Sequence, residues 1–308
     1  MERVVIVIVG PTCSGKTNLS LKFAQLIPSE IISADSRQIY KYLDIGTATP
    51  SKQQLEKIPH HLLDILDPSE NYDASLFEKD AELLIEQIFQ KNKTPIVVGG
   101  SGLYIKALID GIFDTSAKDL DYRKELLQKR LEFGKEFLHE ELKKVDPSSS
   151  KTIHPKNWKR VIRALEVLHT TGEPIWKHHQ MQSTSKEKKY DFKQFGLNWD
   201  RKILYENIEK RVDWMIKKGL IYEVKNILEM GYNKNFNSLN TVGYKEIIQY
   251  LDGIISLERA IELIKRNTRH YAKRQLTWFK KDKRIHWFEL ENLSELDQVV
   301  EEIIHSLK

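Results

Sequence analysis

Val4-Val5-Ile6-Val7-Ile8-Val9 runs directly into Gly10-Pro11-Thr12-Cys13-Ser14-Gly15-Lys16-Thr17. The first six residues are a short, β-branched apolar run, which predicts a buried strand. The next eight match the phosphate-gripping pattern G-x-x-x-x-G-K-[ST] without a mismatch. The glycines let the backbone fold into a nest of inward N–H groups, and the helix opening at its end adds a partial positive charge. Lys16 supplies a full charge, and the Thr17 hydroxyl is placed to hold Mg²⁺. All eight residues, Gly10 to Thr17, are therefore candidate phosphate ligands.

Working outward, residues 17–26 carry helical periodicity through Leu19, Phe23 and Leu26, and residues 31–34 predict a second strand followed by Asp35. Residues 76–89 predict a helix with Leu76, Leu83, Leu84 and Ile88 on its apolar face. A third strand at 95–98 closes on Gly99-Gly100-Ser101-Gly102. Strands alternating with helices predict a parallel sheet covered by helices, an α/β fold of the P-loop NTPase type. Ligands of such sheets bind beyond the carboxyl ends of the strands, where the P-loop, Asp35 and Ser101 all fall.

Around Asp114 the texture changes. Residues 120–144 and 155–169 predict charged amphipathic helices, residues 181–189 a lysine-rich loop, and residues 191–199 a strand returning to the sheet. The expected organisation is a core of residues 1–112 and 191–308 with a helical insertion at 113–190. The last third predicts helices at 201–219, 221–230, 244–251 and 257–279, and an edge strand at 285–288.

Of the 308 residues, 40% are apolar, enough for a sizeable core, yet no run approaches the roughly 18 apolar residues of a membrane span. The start of the chain offers no cleavable leader, because the apolar run at 4–9 is too short. A single cysteine, Cys13, excludes an internal disulfide and a zinc site built on several thiolates. A cytoplasmic enzyme is expected. The formal charge of +5 is mild, but residues 265–284 hold nine Lys or Arg against one acid, Asp282. Such a concentration suits a nucleic-acid backbone.

The default use of a P-loop is nucleotide hydrolysis or phosphoryl transfer, with a second acid after an apolar strand completing the metal site. Asp64 follows only a short apolar pair, and the strand at 95–98 ends in glycines, so an ATP-dependent kinase is weakly supported. Asp35 suits a general base or a metal ligand, and equally an N-cap. Gln38 can present donor and acceptor together to an adenine edge.

Taken in order, further segments are informative: Asp-Ser-Arg-Gln at 35–38, Asp-Ile-Gly-Thr-Ala at 44–48, Pro-His-His at 59–61 and Val-Gly-Gly-Ser-Gly-Leu-Tyr at 98–104. Arg-Val-Ile-Arg-Ala-Leu-Glu-Val at 160–167, Gly-Tyr-Lys-Glu at 243–246 and the Thr-Arg, Tyr-Ala-Lys-Arg-Gln and Thr-Trp-Phe groups within 268–279 follow. With the P-loop, this set resembles the tRNA dimethylallyltransferase family over nearly the whole chain. The resemblance departs at two positions: Ser101 stands where Thr is common, and Cys13 where Ala is usual. It is to members without a zinc-finger extension, which implies a bacterial enzyme.

The resemblance implies transfer of a dimethylallyl group from its diphosphate to N6 of the adenosine 3′-adjacent to the anticodon, position 37, with release of diphosphate. Implied partners are dimethylallyl diphosphate and the tRNA anticodon stem-loop, with Mg²⁺ as cofactor, no membrane and a monomeric enzyme. By the same resemblance Asp35 is the base, Arg211 reaches the diphosphate and Ser101 contacts or orients the target nucleotide. Contacts to tRNA fall on Asp35, Ser36, Arg37, Gln38, Ser101, Arg123, Lys159, Arg160, Val161, Ile162, Arg163, Lys273 and Arg274. Helical spacing independently groups Lys156, Arg160 and Arg163 on one stripe, and Arg266, Arg269, Lys273 and Lys280 on another. Two rivals remain beside the kinase: an adenylate isopentenyltransferase acting on free nucleotide, and an RNA-binding module with a vestigial P-loop. The basic segment at 265–284 argues against the first, the intact Lys16, Thr17 and Asp35 against the second.

Overall fold

The computed structural model describes residues 3–113, 119–178, 180 and 189–307. Six strands form one parallel sheet in the order β3-β2-β4-β1-β5-β6. They are β1 (Val4–Val9), β2 (Ser29–Ser33), β3 (His60–His61), β4 (Thr94–Gly99), β5 (Asp191–Trp199) and β6 (His286–Leu290). Val5 to Val9 are all at 0% exposure, as a central strand covered on both faces requires. The register sets Val9 against Gly99 on one side and Gly196 on the other, and Ser33 against Val98. The segments that leave these strands therefore start side by side: the P-loop after Val9, Asp35 after Ser33 and Ser101 after Gly99.

The early helices are α1 (Lys16–Leu26), α2 (Lys52–Lys57), α3 (Ala74–Gln90) and α4 (Gly102–Asp110). The α3 face turned inward is Ala74, Phe77, Ala81, Ile85 and Ile88; of the expected face Ile88 belongs to it, whereas Leu76 and Leu83 are exposed. Small Ala81 lets the helix approach the sheet, whereas the leucines sit a residue or two off that stripe. Leu26 at the end of α1 is likewise exposed. Strand β3 and helices α2 and α4 were not among the elements expected from the sequence.

The chain divides into two compact units, Met1–Ile109 with Lys188–Lys308, and Asp110–Glu187. The second is helical: α5 (Leu120–Phe133), α6 (Lys135–Val145), α7 (Pro147–Thr152) and α8 (Trp158–Thr171). The single helix predicted over 120–144 breaks at Gly134, whose φ of +86° ends α5 and admits α6. Asp146 caps α7 with Pro147 at its first position, and Gly172 in the left-handed region closes α8. The core of this unit is Leu126, Leu138, Leu142, Val161, Ile162, Ala164 and Leu165. Of the loop expected at 181–189, residues 181–188 lie outside the described residues.

The larger unit continues with α9 (Arg201–Lys218), α10 (Leu220–Glu229), α11 (Tyr244–Leu251), α12 (Leu257–Phe279) and α13 (Leu296–Ser306). Helices α10 and α11 pack together, and α12 packs on both α9 and α11. Lys265 pairs with Asp213 at 2.6 Å and Arg269 with Glu209 at 2.8 Å, fastening α12 to α9. No helix among the described residues is long and apolar enough to cross a membrane.

Candidate active site

The P-loop takes the shape its glycines permit. Gly15 has φ +90° and opens α1, and Cys13 has φ +64°, a left-handed value that few side chains adopt. Two distant residues pin the loop. Trp199, at the end of β5, donates its indole N–H to the Ser14 carbonyl at 2.9 Å in a buried position. Gln275, buried on α12, accepts from the Thr12 amide at 2.9 Å and donates to the Gly100 carbonyl at 2.9 Å. One side chain thus ties the P-loop to the turn after β4. The Thr12 amide is committed to Gln275, so the donors left to a phosphate begin at Cys13.

The Lys16 ammonium donates to the Pro11 carbonyl at 2.6 Å. Burial pushes its pKa down to about 8, with the nearby Arg211 cation adding to the shift and Asp35 opposing it. An anion placed in the loop would reverse that depression. Thr17, in the first turn of α1, offers one hydroxyl, and among the described residues no group of three His, Cys, Asp or Glu could hold a metal by itself. That donor set fits Mg²⁺ arriving with a diphosphate, since the ion keeps waters and takes phosphate oxygens for most of its shell. It does not fit a metal held by protein alone.

A cavity of about 300 Å³ opens beside the loop, and Thr12, Cys13, Asp35, Arg211, Tyr271 and Arg274 contribute to its wall. Asp35 accepts from the Arg37 amide at 2.8 Å, so its carboxylate caps a turn and not a helix. The Ser101 hydroxyl accepts from the Ser36 amide at 3.0 Å, and the Ser101 amide donates to the Ala34 carbonyl. Ser101 thereby supports the turn that carries Asp35. Arg211 reaches over from α9: one nitrogen donates to the Thr47 carbonyl at 3.3 Å, another lies 3.8 Å from the Cys13 sulfur. The ion pair with Glu206 or Glu209 that helix spacing would offer Arg211 is not made; Glu209 pairs with Arg269 instead.

Other predicted residues are placed differently. Gln38 accepts from the Ser33 hydroxyl at 3.0 Å and donates to the Thr47 carbonyl at 3.2 Å, so both ends of its amide serve the loop and not an adenine edge. Ser36 and Arg37 line the cavity, and Arg37 also donates to the Asn237 carbonyl at 2.6 Å. Lys273 and Arg274 are exposed on α12, with Arg274 5.8 Å from the Tyr271 ring. Arg269, expected on the same stripe, is turned into α9 as described.

In the helical unit Lys156, Lys159 and Arg160 are exposed and Arg163 is half-buried. Val161 and Ile162, expected at the RNA surface, are at 0% exposure in the core of that unit, so their side chains serve packing. They lie between the basic residues in sequence, but 100° per residue turns them to the opposite face. Arg123 is held by Glu166 at 2.8 Å, a pair within the same unit.

Residues that the sequence did not single out complete the site. Gln275 continues the buried stripe Ala260, Ile264, Ala272 and Phe279 of α12, and Glu223 shares the buried face of α10 with Leu220 and Val224. A polar residue on an apolar stripe is the signal that would have found both. A larger hollow, about 860 Å³, lies at the amino ends of β5 and β6 near Gln194 and His286. It is at the wrong end of a parallel sheet for this chemistry.

Comparison with known proteins matches residues 38–282 to the family model described as IPP transferase. A protein of Carboxydothermus hydrogenoformans named tRNA dimethylallyltransferase is 48% identical over 305 residues, covering 99% of this chain and 97% of its own. The crystal structure of a full-length tRNA isopentenylpyrophosphate transferase from Bacillus halodurans superposes with a TM-score of 0.73 at 38% identity, covering 100% of this chain and 97% of its own. A eukaryotic dimethylallyltransferase, captured acting on tRNA, superposes with a TM-score of 0.83 at 30% identity over 98% of this chain and 77% of its own.

Proposed function

The chain belongs to the IPP transferase family, and from that premise we infer that it transfers a dimethylallyl group from dimethylallyl diphosphate to N6 of the adenosine at position 37 of tRNA. The observation that carries this reading is the meeting of P-loop residues, Asp35 and Arg211 around one cavity. Two residues of the phosphate loop, Thr12 and Cys13, share that space with a carboxylate and a cation, the groups that alkyl transfer from a diphosphate needs.

The exocyclic amine of adenine is a poor nucleophile, because its lone pair is delocalised into the ring. Asp35, oriented by the Arg37 amide, takes the N6 proton as the nitrogen bonds to the allylic carbon. The carbon–oxygen bond breaks, and its electron pair leaves with the diphosphate. The amides of residues 13–17, Lys16 and Arg211 receive that charge, in a pocket where such donors are worth more than in water. Mg²⁺, held through Thr17, would neutralise further charge on the departing oxygens. No phosphoryl group moves, consistent with β4 ending in Gly99 and not in a second acid.

The target base must leave the anticodon stack to reach a pocket at a sheet edge. Exposed Lys273 and Arg274 are assigned to its backbone, with Lys159, Arg160 and Arg163 of the helical unit as a second basic surface for the stem-loop. A monomer working in the cytoplasm completes the reading. The test is mass spectrometry of unmodified tRNA incubated with the protein, dimethylallyl diphosphate and Mg²⁺. A C5H8 increment on the nucleoside 3′ to the anticodon is expected; ADP formation from ATP without that increment would favour a kinase.

A further inference from the structure

The Glu223 carboxylate accepts four hydrogen bonds, none of them from a residue assigned to catalysis. Its Oε2 accepts from the Ile45 amide at 2.7 Å and the Asp44 amide at 3.2 Å. Its Oε1 accepts from the Gly46 amide at 3.1 Å and the Tyr244 hydroxyl at 2.6 Å. Three consecutive backbone amides converging on one carboxylate form an anion nest, here filled by a side chain from α10. Burial lifts the Glu223 pKa above the ordinary carboxylate value, and the four donors oppose that shift without cancelling it. Such bonds to an ionised acceptor are about twice as strong as neutral ones.

The turn so held is the one that reaches the active site. Gly46 and Thr47 line the cavity, and the Thr47 carbonyl receives both Arg211 and Gln38. Gly46 also allows the approach: a Cβ there would clash with the Tyr244 ring, 2.3 Å from its Cε2. Tyr244 is fully buried. From α10 and α11, then, Glu223 and Tyr244 grip the amide side of the turn, and Arg211 takes its carbonyl side.

We propose that Glu223 is a positioning residue: by clamping the amides of residues 44–46 it aims the Thr47 carbonyl, and through it the Arg211 guanidinium, at the leaving diphosphate. This rests on the assignment of Arg211 to diphosphate made above. Without Glu223 three amides lose their shared acceptor, the turn relaxes and Arg211 loses its anchor. A residue that served only to hold α10 in place would lower stability without acting through Arg211.

The experiment is a double-mutant cycle read in two ways: Mg²⁺–diphosphate binding by calorimetry, and the rate of tRNA modification at saturating tRNA. Glu223→Gln keeps the size, and Tyr244→Phe removes one of the four donors as a milder second variant. Glu223→Gln is expected to weaken diphosphate binding and lower the rate by about tenfold, as loss of a charged hydrogen-bond partner does, with KM for tRNA unchanged. Tyr244→Phe should give a smaller loss of the same kind. In an Arg211→Ala background both should have almost no further effect. Equal losses with and without Arg211, or no loss in either single variant, would overturn the proposal. A wild-type protein that binds diphosphate but does not modify tRNA would sink the functional reading alone, because the binding cycle still decides the role of Glu223.

Discussion

The P-loop and the helical unit of residues 110–187 are built on opposite plans. The loop is eight consecutive residues, yet its shape is fixed from far away in the chain, by Trp199 through Ser14 and by Gln275 through Thr12. The helical unit is held by a leucine-rich interior, and many of its ion pairs are local, such as Lys144 with Glu141 and Lys129 with Glu125. A catalytic cradle needs its donors set to within a fraction of an ångström, so it borrows rigidity from the sheet and α12. The RNA contact proposed for the helical unit would need mainly charge, and charge on a packed helix suffices for that.

The contrast can be broken at several points. Ile162→Ala should cost the helical unit about 2–5 kcal/mol, the usual range for emptying a fully buried aliphatic site. An unchanged denaturation midpoint would take Ile162 out of the core and return it to the RNA surface. In the cradle, Asp35→Ala should leave diphosphate binding nearly intact while lowering transfer about 100-fold or more, as loss of a general base does. A variant keeping more than about a tenth of the wild-type rate means another group removes the proton.

A gentler test uses the depressed Lys16. With a folded pKa of about 8 against the ordinary 10.5, its ammonium is partly deprotonated at pH 8 in the free protein. Diphosphate favours the charged form, so binding should take up protons near pH 8 and weaken as pH rises from there. Calorimetry in two buffers of different ionisation enthalpy measures the uptake, and its persistence in Lys16→Met would assign it elsewhere. For stability the sign is the opposite: a depressed lysine makes its contribution above pH 10.5 and loses it as pH falls through about 8. Smallest of all, neutralising Lys273 and Arg274 together should flatten the slope of log affinity for tRNA against log salt by about 1.4 to 1.8. An unchanged slope would remove α12 from the interface and leave the helical unit as the electrostatic partner.

Much of this was legible in the sequence. The β-branched run at 4–9, the glycine pattern after it and the alternation of strand and helix fixed a parallel sheet with a phosphate site at one end, because period and turn chemistry are local properties. The return strand at Asp191–Trp199 and the long helix at Leu257–Phe279 were placed to the residue. Boundaries slipped where one residue overrode a periodic pattern, as Gly134 does between α5 and α6. The leucines of α3 misled because hydrophobicity alone does not say which face meets the sheet, and Ala81 was the better guide.

By itself the sequence determined the P-loop, its place after the first strand, the two charged helical regions and the family. Only the tertiary structure decided which side chains hold that chemistry in place: Gln275 between the P-loop and Gly100, Ser101 beneath the Asp35 turn, Glu223 under the turn that meets Arg211. It also decided that Gln38 faces inward and that Val161 and Ile162 are core. The physical reason is the same in each case. A motif records what adjacent residues can do, whereas a hydrogen bond between residues 263 positions apart exists only once the sheet has brought them together.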